Sequence, residues 1–170
     1  MTYLGTPLTP DEYYRAHAGD YVNGQAEAVG PLLKALAVHL RPRVLDLGCG
    51  AGLATQALIG LGVTDIVGSD RSPEMVQRYT QETGKPGQVA SFWDQQPSAL
   101  TAVCVHALHL CPASRLWEVP WTLRTAGIQH LIVISPLKRA GNGLSLRELA
   151  RVQVQTGPER KTVWGWVFGL

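Results

Sequence analysis

The chain predicts an α/β fold: a mostly parallel sheet with helices on both faces, closed by an antiparallel hairpin at the C-terminus. Three observations lead there. From Arg43 onward, apolar strand-like runs alternate with helix-like segments, the order that builds a parallel sheet through crossover helices. Residues 102–105 (Ala-Val-Cys-Val) and 131–134 (Leu-Ile-Val-Ile) are continuously apolar, as strands buried on both faces require. The tail then changes period. Residues 152–156 alternate apolar and polar, residues 162–168 are rich in β-branched and aromatic types, and Gly157-Pro158 turns the chain between them, so the two pair antiparallel.

Taken in order, Thr9-Pro10-Asp11-Glu12 is a helix start, with Thr9 as cap, Pro10 at the first helical position and Glu12 completing a capping box. A short helix is expected to residue 19, then a loop over 20–24. A second helix is expected over 25–40, where Val29, Leu32, Leu33, Leu36 and Leu40 share one face and Pro42 ends the run. The first strand is placed at 43–47 with its helix at 51–61, and the second at 65–69 with its helix at 72–83. Gly84-Lys85-Pro86-Gly87 turns into a third strand at 88–92. Residues 112–126 read as helical, with Pro120 predicting a break near Val119. After the fifth strand, a short connection over 136–143 is expected to lead to a helix. Trp164 and Trp166 are spaced to lie on one face of the last strand, where core packing is expected of them.

The chemistry concentrates where the first strand ends. Asp46-Leu47-Gly48-Cys49-Gly50-Ala51-Gly52 places an acid and three alternating glycines between a strand and a helix. Glycine permits backbone angles that a side chain forbids. It also lets a ligand lie on bare main chain, near the N–H donors of the helix start. The dinucleotide fingerprint Gly-x-Gly-x-x-Gly has a different spacing, which opposes a nicotinamide dehydrogenase. A second strand ends in an acid at Gly68-Ser69-Asp70, followed by Arg71-Ser72-Pro73-Glu74-Met75.

Asp-x-Gly-x-Gly-x-Gly resembles motif I of the class I S-adenosylmethionine (SAM) methyltransferases, and Gly68 to Met75 resembles their Gly-x-Asp-x-Ser-Pro-x-Met motif. The resemblance covers the chain from about residue 43 to the end, more weakly the first forty residues. It implies a Rossmann-like seven-stranded sheet in a single domain over 1–170, with a helical cap (1–42) on a core (43–170). It implies SAM as cofactor and S-adenosyl-L-homocysteine as product. Gly48, Cys49, Gly50 and Gly52 then form the cofactor loop. Asp46 orients that loop or, through water, meets the SAM amino group. Asp70 holds the ribose, since a carboxylate accepts from both hydroxyls, and Arg71 lies along the adenine. At the third strand, Ser91 and Phe92 align with the family's adenine contacts, with Asp94 an alternative to Ser91. In the cap, Tyr14 and Tyr21 stand before and after a small-residue helical stretch, as family tyrosines do, reading equally as a cofactor contact or as cap packing.

At the fourth strand, Val105-His106-Ala107-Leu108-His109-Leu110 resembles the motif IV region but lacks Asn-Pro-Pro-Tyr and Asp-Pro-Pro-Tyr, which disfavours the common amino-methylating DNA enzymes. His106 is the expected catalytic residue, a general base for an oxygen or nitrogen nucleophile, the alternative being a packed histidine. His109 reads as packing. The expected acceptor is a small molecule, because Tyr13, Tyr14 and Tyr21 would enclose a pocket. A catalytically silent SAM-binding scaffold, and an enzyme acting on a macromolecule with a partner, are the competing readings.

Composition narrows the setting. At 170 residues the chain reads as one domain with a full core, and a 45% hydrophobic content is ordinary for a globular protein. No apolar run approaches a membrane span, and no leader is evident at the N-terminus. Cys49, Cys104 and Cys111 have neither a disulfide framework nor zinc-ligand spacing, which fits a reducing, cytoplasmic compartment and no metal. A net charge of +2 gives no strong nucleic-acid signal, and the basic side chains between 137 and 161 read as a solvated surface, the alternative being a shallow basic patch for an anionic substrate. Self-association or a partner subunit is left open.

Overall fold

The computed structural model describes residues 26–136, 144–156 and 160–170. The helix expected over 9–19, Tyr14, Tyr21 and the His109 side chain lie outside what it describes. Seven strands form one sheet: β1 (Val44–Leu47), β2 (Ile66–Asp70), β3 (Gly87–Val89), β4 (Thr101–Val105), β5 (His130–Ser135), β6 (Arg147–Thr156) and β7 (Lys161–Gly169). Their order is β3-β2-β1-β4-β5-β7-β6. The first five pair parallel, and β7 runs antiparallel to both β5 and β6. Among the described residues, four α-helices cover this sheet: α1 (Ala26–Leu36), α2 (Leu53–Gly60), α3 (Pro73–Thr83) and α4 (Glu118–Thr125).

Side chains alternate across the strands and build two cores. Leu45, Leu47, Cys104, Leu131, Val133, Trp166 and Phe168 point to one face and pack with Val119 and Leu123 of α4. Val44, Ile66, Val103, Ile132, Ile134, Val163 and Val167 point to the other, where α1 supplies Val29, Leu32, Leu33 and Leu36 and α2 supplies Ala54 and Leu58. Trp166 is fully buried, and its ring stacks on Trp164 at 6.1 Å between centroids. Emptying such a core position, for example Leu123→Ala, costs about 2–5 kcal/mol.

Three expectations are corrected. The helix read over 112–126 is a 3-10 turn (Ala113–Arg115) followed by α4, so its break falls before Glu118. Pro120 is the third residue of α4, in the first turn, where a backbone N–H has no helical acceptor and its loss costs little. The strand read over 88–92 stops at Val89, because Ser91 and Asp94 close a turn: the Asp94 N–H donates to the Ser91 carbonyl at 3.1 Å. The helix expected beyond residue 143 is replaced by the first half of β6, which starts at Arg147 and pairs along β7 as far as Gly169, with a register shift between Glu148 and Ala150. Arg-Glu-Leu-Ala-Arg suits a helix by local preference, and the edge of a long β7 overrides it.

Candidate active site

Strand order reverses between β1, which pairs with β2, and β4 on its other side. Chains leaving the C-terminal ends of these strands diverge there and leave a crevice. The described residues line an open cavity of about 630 Å³ at that place, among them Asp46, Gly48, Cys49, Gly50, Asp70, Arg71, Met75, Val105, His106 and Leu110. A recess of about 60 Å³ adjoins it, sharing Gly48, Asp70 and Arg71 and adding Ser91, Phe92 and Trp93. The structure thus brings together His106 with nearly all of the predicted cofactor residues that it describes.

The glycine loop is tied to β2. The N–H groups of Gly48 and Cys49 both donate to the Ser69 carbonyl, at 2.7 and 2.9 Å. Gly48, at φ +70°, passes so close to the β4 end that a Cβ on it would meet the Ala107 Cβ at 2.6 Å. A Cβ on Gly50 would instead meet nothing within 4 Å. The space in front of Gly50 is cavity.

Gly52 is the exception among the loop glycines. It does not line the cavity. It caps α2 at φ +95°, and a Cβ there would lie 2.3 Å from Thr83 Cγ2 and 3.3 Å from the Tyr79 ring. Its lack of a side chain serves the packing of α3 on the loop.

The two acids bind different segments around this loop. Asp70 Oδ2 accepts the Gly50 N–H and Oδ1 accepts the Ser72 N–H, each at 3.0 Å. Ser72 in turn caps α3 by accepting the Met75 N–H. Asp46 is buried and accepts both the N–H of Thr55, at 3.1 Å, and its hydroxyl, at 2.8 Å, on Oδ2. Burial lifts its carboxyl to about 7 against the lowering effect of the Thr55 hydrogen bonds, and the neighbouring Asp70 charge adds to the rise. Asp46 therefore orients the start of α2.

Ser91 and Asp94 are one unit: Asp94 Oδ2 accepts the Ser91 N–H at 2.7 Å and its hydroxyl at 2.6 Å. These bonds hold the Asp94 carboxyl below the usual range. Ser91 lines the recess and Asp94 does not. Phe92 stands over Gly48, whose Cβ would lie 3.4 Å from its ring.

His106 follows β4 directly. Its N–H donates to the Ile134 carbonyl at 2.8 Å, and its φ of +53° is uncommon for a side chain of this size. That angle takes the residue out of the strand's alternation and into the cavity wall. The thiols are poor nucleophiles. Burial, reinforced by Asp46 and Asp70, pushes Cys49 up, and burial pushes Cys104 up to about 12.

Sequence reasoning missed Thr55, Tyr79 and Ala107, which shape the site through contacts with Asp46, Thr55 and Gly48 respectively. An acid followed nine residues later by a threonine carries no local signal. Among the described residues, no helix is long and apolar enough to cross a membrane.

Comparison with known proteins agrees with this geometry. Residues 44–119 match the family model described as a methyltransferase domain. The biotin biosynthesis bifunctional protein BioCD of Bordetella avium is 36% identical over 107 residues, covering 56% of this chain; the chain matches only 23% of that protein's length. The N-methyltransferase NodS of Bradyrhizobium japonicum, solved with S-adenosyl-L-homocysteine, superposes with a TM-score of 0.75 at 15% identity, over 92% of this chain and 96% of that one. The magnesium protoporphyrin IX methyltransferase ChlM of Synechocystis, solved with SAM, superposes at 0.65 with 17% identity, over 94% and 89%. The structural likeness speaks for the fold, and the family match covers the same strand, glycine loop and acid that build the cavity. The chain thus shares the class I, Rossmann-like fold of these methyltransferases of known structure, and its residues 44–119 match a methyltransferase domain.

Proposed function

We propose that the chain transfers a methyl group from SAM to an oxygen or nitrogen nucleophile of a small molecule. The observation that carries this reading is one continuous cavity, with the glycine loop and Asp70 in one part of its wall and His106 in another. Its volume of about 630 Å³ is that of a pocket for small ligands.

The residues present fit the cofactor. Gly50 leaves open space where a side chain would stand. Each Asp70 oxygen accepts one backbone N–H and retains acceptor capacity for a ribose hydroxyl. Asp46 spends both of its hydrogen bonds among the described residues on Oδ2, which leaves Oδ1 to a cationic amino group or its water. Ser91, Phe92 and Arg71 frame the recess in which an adenine would lie.

When bound, SAM supplies a methyl group on a positively charged sulfur. The protein's share is to align the acceptor, keep water out and receive the acceptor's proton. His106 is the group in the cavity wall suited to that last step near neutral pH. A small-molecule acceptor draws support from the relatives, one named for biotin biosynthesis and one for magnesium protoporphyrin IX.

The test is transfer of radiolabelled methyl from SAM into a fractionated cell extract, with SAM binding measured separately by calorimetry. Label in the small-molecule fraction supports the proposal. Label only in protein or nucleic acid overturns the acceptor class. Binding without any transfer favours a scaffold subunit.

A further inference from the structure

Tyr79 lies on α3, faces neither solvent nor the cavity, and is fully buried. Its ring fills a slot made by three glycines from three separate places. A Cβ on Gly68 of β2 would fall 2.5 Å from the ring, and one on Gly52 or on Gly87 would fall 3.3 Å from it. The slot aims the phenol hydroxyl at Thr55, 3.0 Å away on α2.

The order of donors along this line follows from chemistry. The single hydroxyl proton of Thr55 is given to Asp46 Oδ2, which also takes the Thr55 N–H and so is the accepting oxygen of the carboxyl in either protonation state. Thr55 Oγ1 is then left as acceptor, so the Tyr79 O–H donates. The sequence is Tyr79 to Thr55 to Asp46, and each donor polarises the next bond. All of its force falls on Oδ2 of a carboxyl group that lines the cavity.

We propose that Tyr79 is a positioning residue for cofactor binding, acting through Thr55 on Asp46 without touching the cofactor. The proposal rests on the SAM reading of the cavity. A phenylalanine would fill the same slot, so ring packing and hydroxyl can be separated. Burial of the phenol raises its pKa, and it stays protonated as a donor over the physiological range.

The experiment is SAM calorimetry on the full chain for wild type, Tyr79→Phe, Thr55→Val and the double variant, with circular dichroism confirming the fold of each. Tyr79→Phe is expected to weaken SAM by about three- to tenfold, the usual size of one lost hydrogen bond. Thr55→Val, which cuts the line at its middle, must weaken binding at least as much, and adding Tyr79→Phe to it must change nothing further. Wild-type affinity in Tyr79→Phe overturns the proposal, as does an equal loss with and without the Thr55 hydroxyl, which would make the effect one of packing. Should Tyr79→Phe fail to fold, an undiminished affinity in Thr55→Val overturns it alone. A wild-type chain that binds no SAM overturns the cofactor reading itself.

Discussion

Asp70 holds Gly50 across twenty residues of chain: its Oδ2 accepts the Gly50 N–H at 3.0 Å, from the end of one strand to the loop after its neighbour. The same carboxylate accepts the Ser72 N–H on its other oxygen. One side chain therefore fixes the glycine loop, starts the turn into α3 and lines the cavity.

Replacing that anion tests all three roles. Asp70→Ala is expected to weaken SAM by on the order of 1–3 kcal/mol, the worth of charge-assisted hydrogen bonds. Calorimetric titration measures it, and affinity equal to wild type would remove the ribose assignment.

The glycines differ in what they tolerate. Gly52→Ala adds a Cβ 2.3 Å from Thr83 Cγ2 at a φ of +95°, and is expected to cost about 2–4 kcal/mol. Gly60→Ala, at the end of α2 with nothing within 4 Å, is expected to stabilise by about 0.4–1 kcal/mol through the unfolded chain. Urea denaturation midpoints should move in opposite directions. Equal shifts would discard the close packing of α3 on the loop.

Asp46 makes stability depend on pH. Its carboxyl titrates at about 7 in the folded protein and at the ordinary carboxylate value of 3.8 when unfolded. Below the lower value it is neutral in both states, and its relative contribution to stability is fully present. As pH rises toward 7 the unfolded state releases the proton first, so that contribution is lost, up to a ceiling of about 4 kcal/mol. Asn has no proton to release. The melting temperature of Asp46→Asn minus that of wild type should therefore climb between about pH 4 and pH 7 and level off above. A difference independent of pH would mean that the carboxylate is not desolvated.

His106→Ala separates binding from chemistry. SAM affinity should change by no more than about twofold while turnover falls roughly 10²-fold, the usual share of a general base. Undiminished turnover would reduce His106 to a wall residue.

Much of the fold was legible because its cues are local. The apolar runs of β4 and β5, the Ser72-Pro73 start of α3 and the hairpin alternation each reflect the few residues that carry them. Pro120 misled because its cost depends on where a helix begins, which neighbouring turns decide. The start of β6 misled because an edge strand forms wherever its partner runs, and β7 runs to Gly169.

For the site, the chain by itself determined the chemistry on offer: an acid, a run of glycines, a second acid and a histidine, each at a strand end, since such types at such spacing need nothing distant to be recognised. Only the tertiary structure decided how they are used. It set Gly52 against α3 instead of the cavity, turned Asp46 toward Thr55, joined Ser91 to Asp94, and seated Tyr79 behind them all. Those assignments rest on contacts between segments far apart in sequence, and a hydrogen bond or a 2.3 Å collision exists only once the chain has brought both partners to the same place.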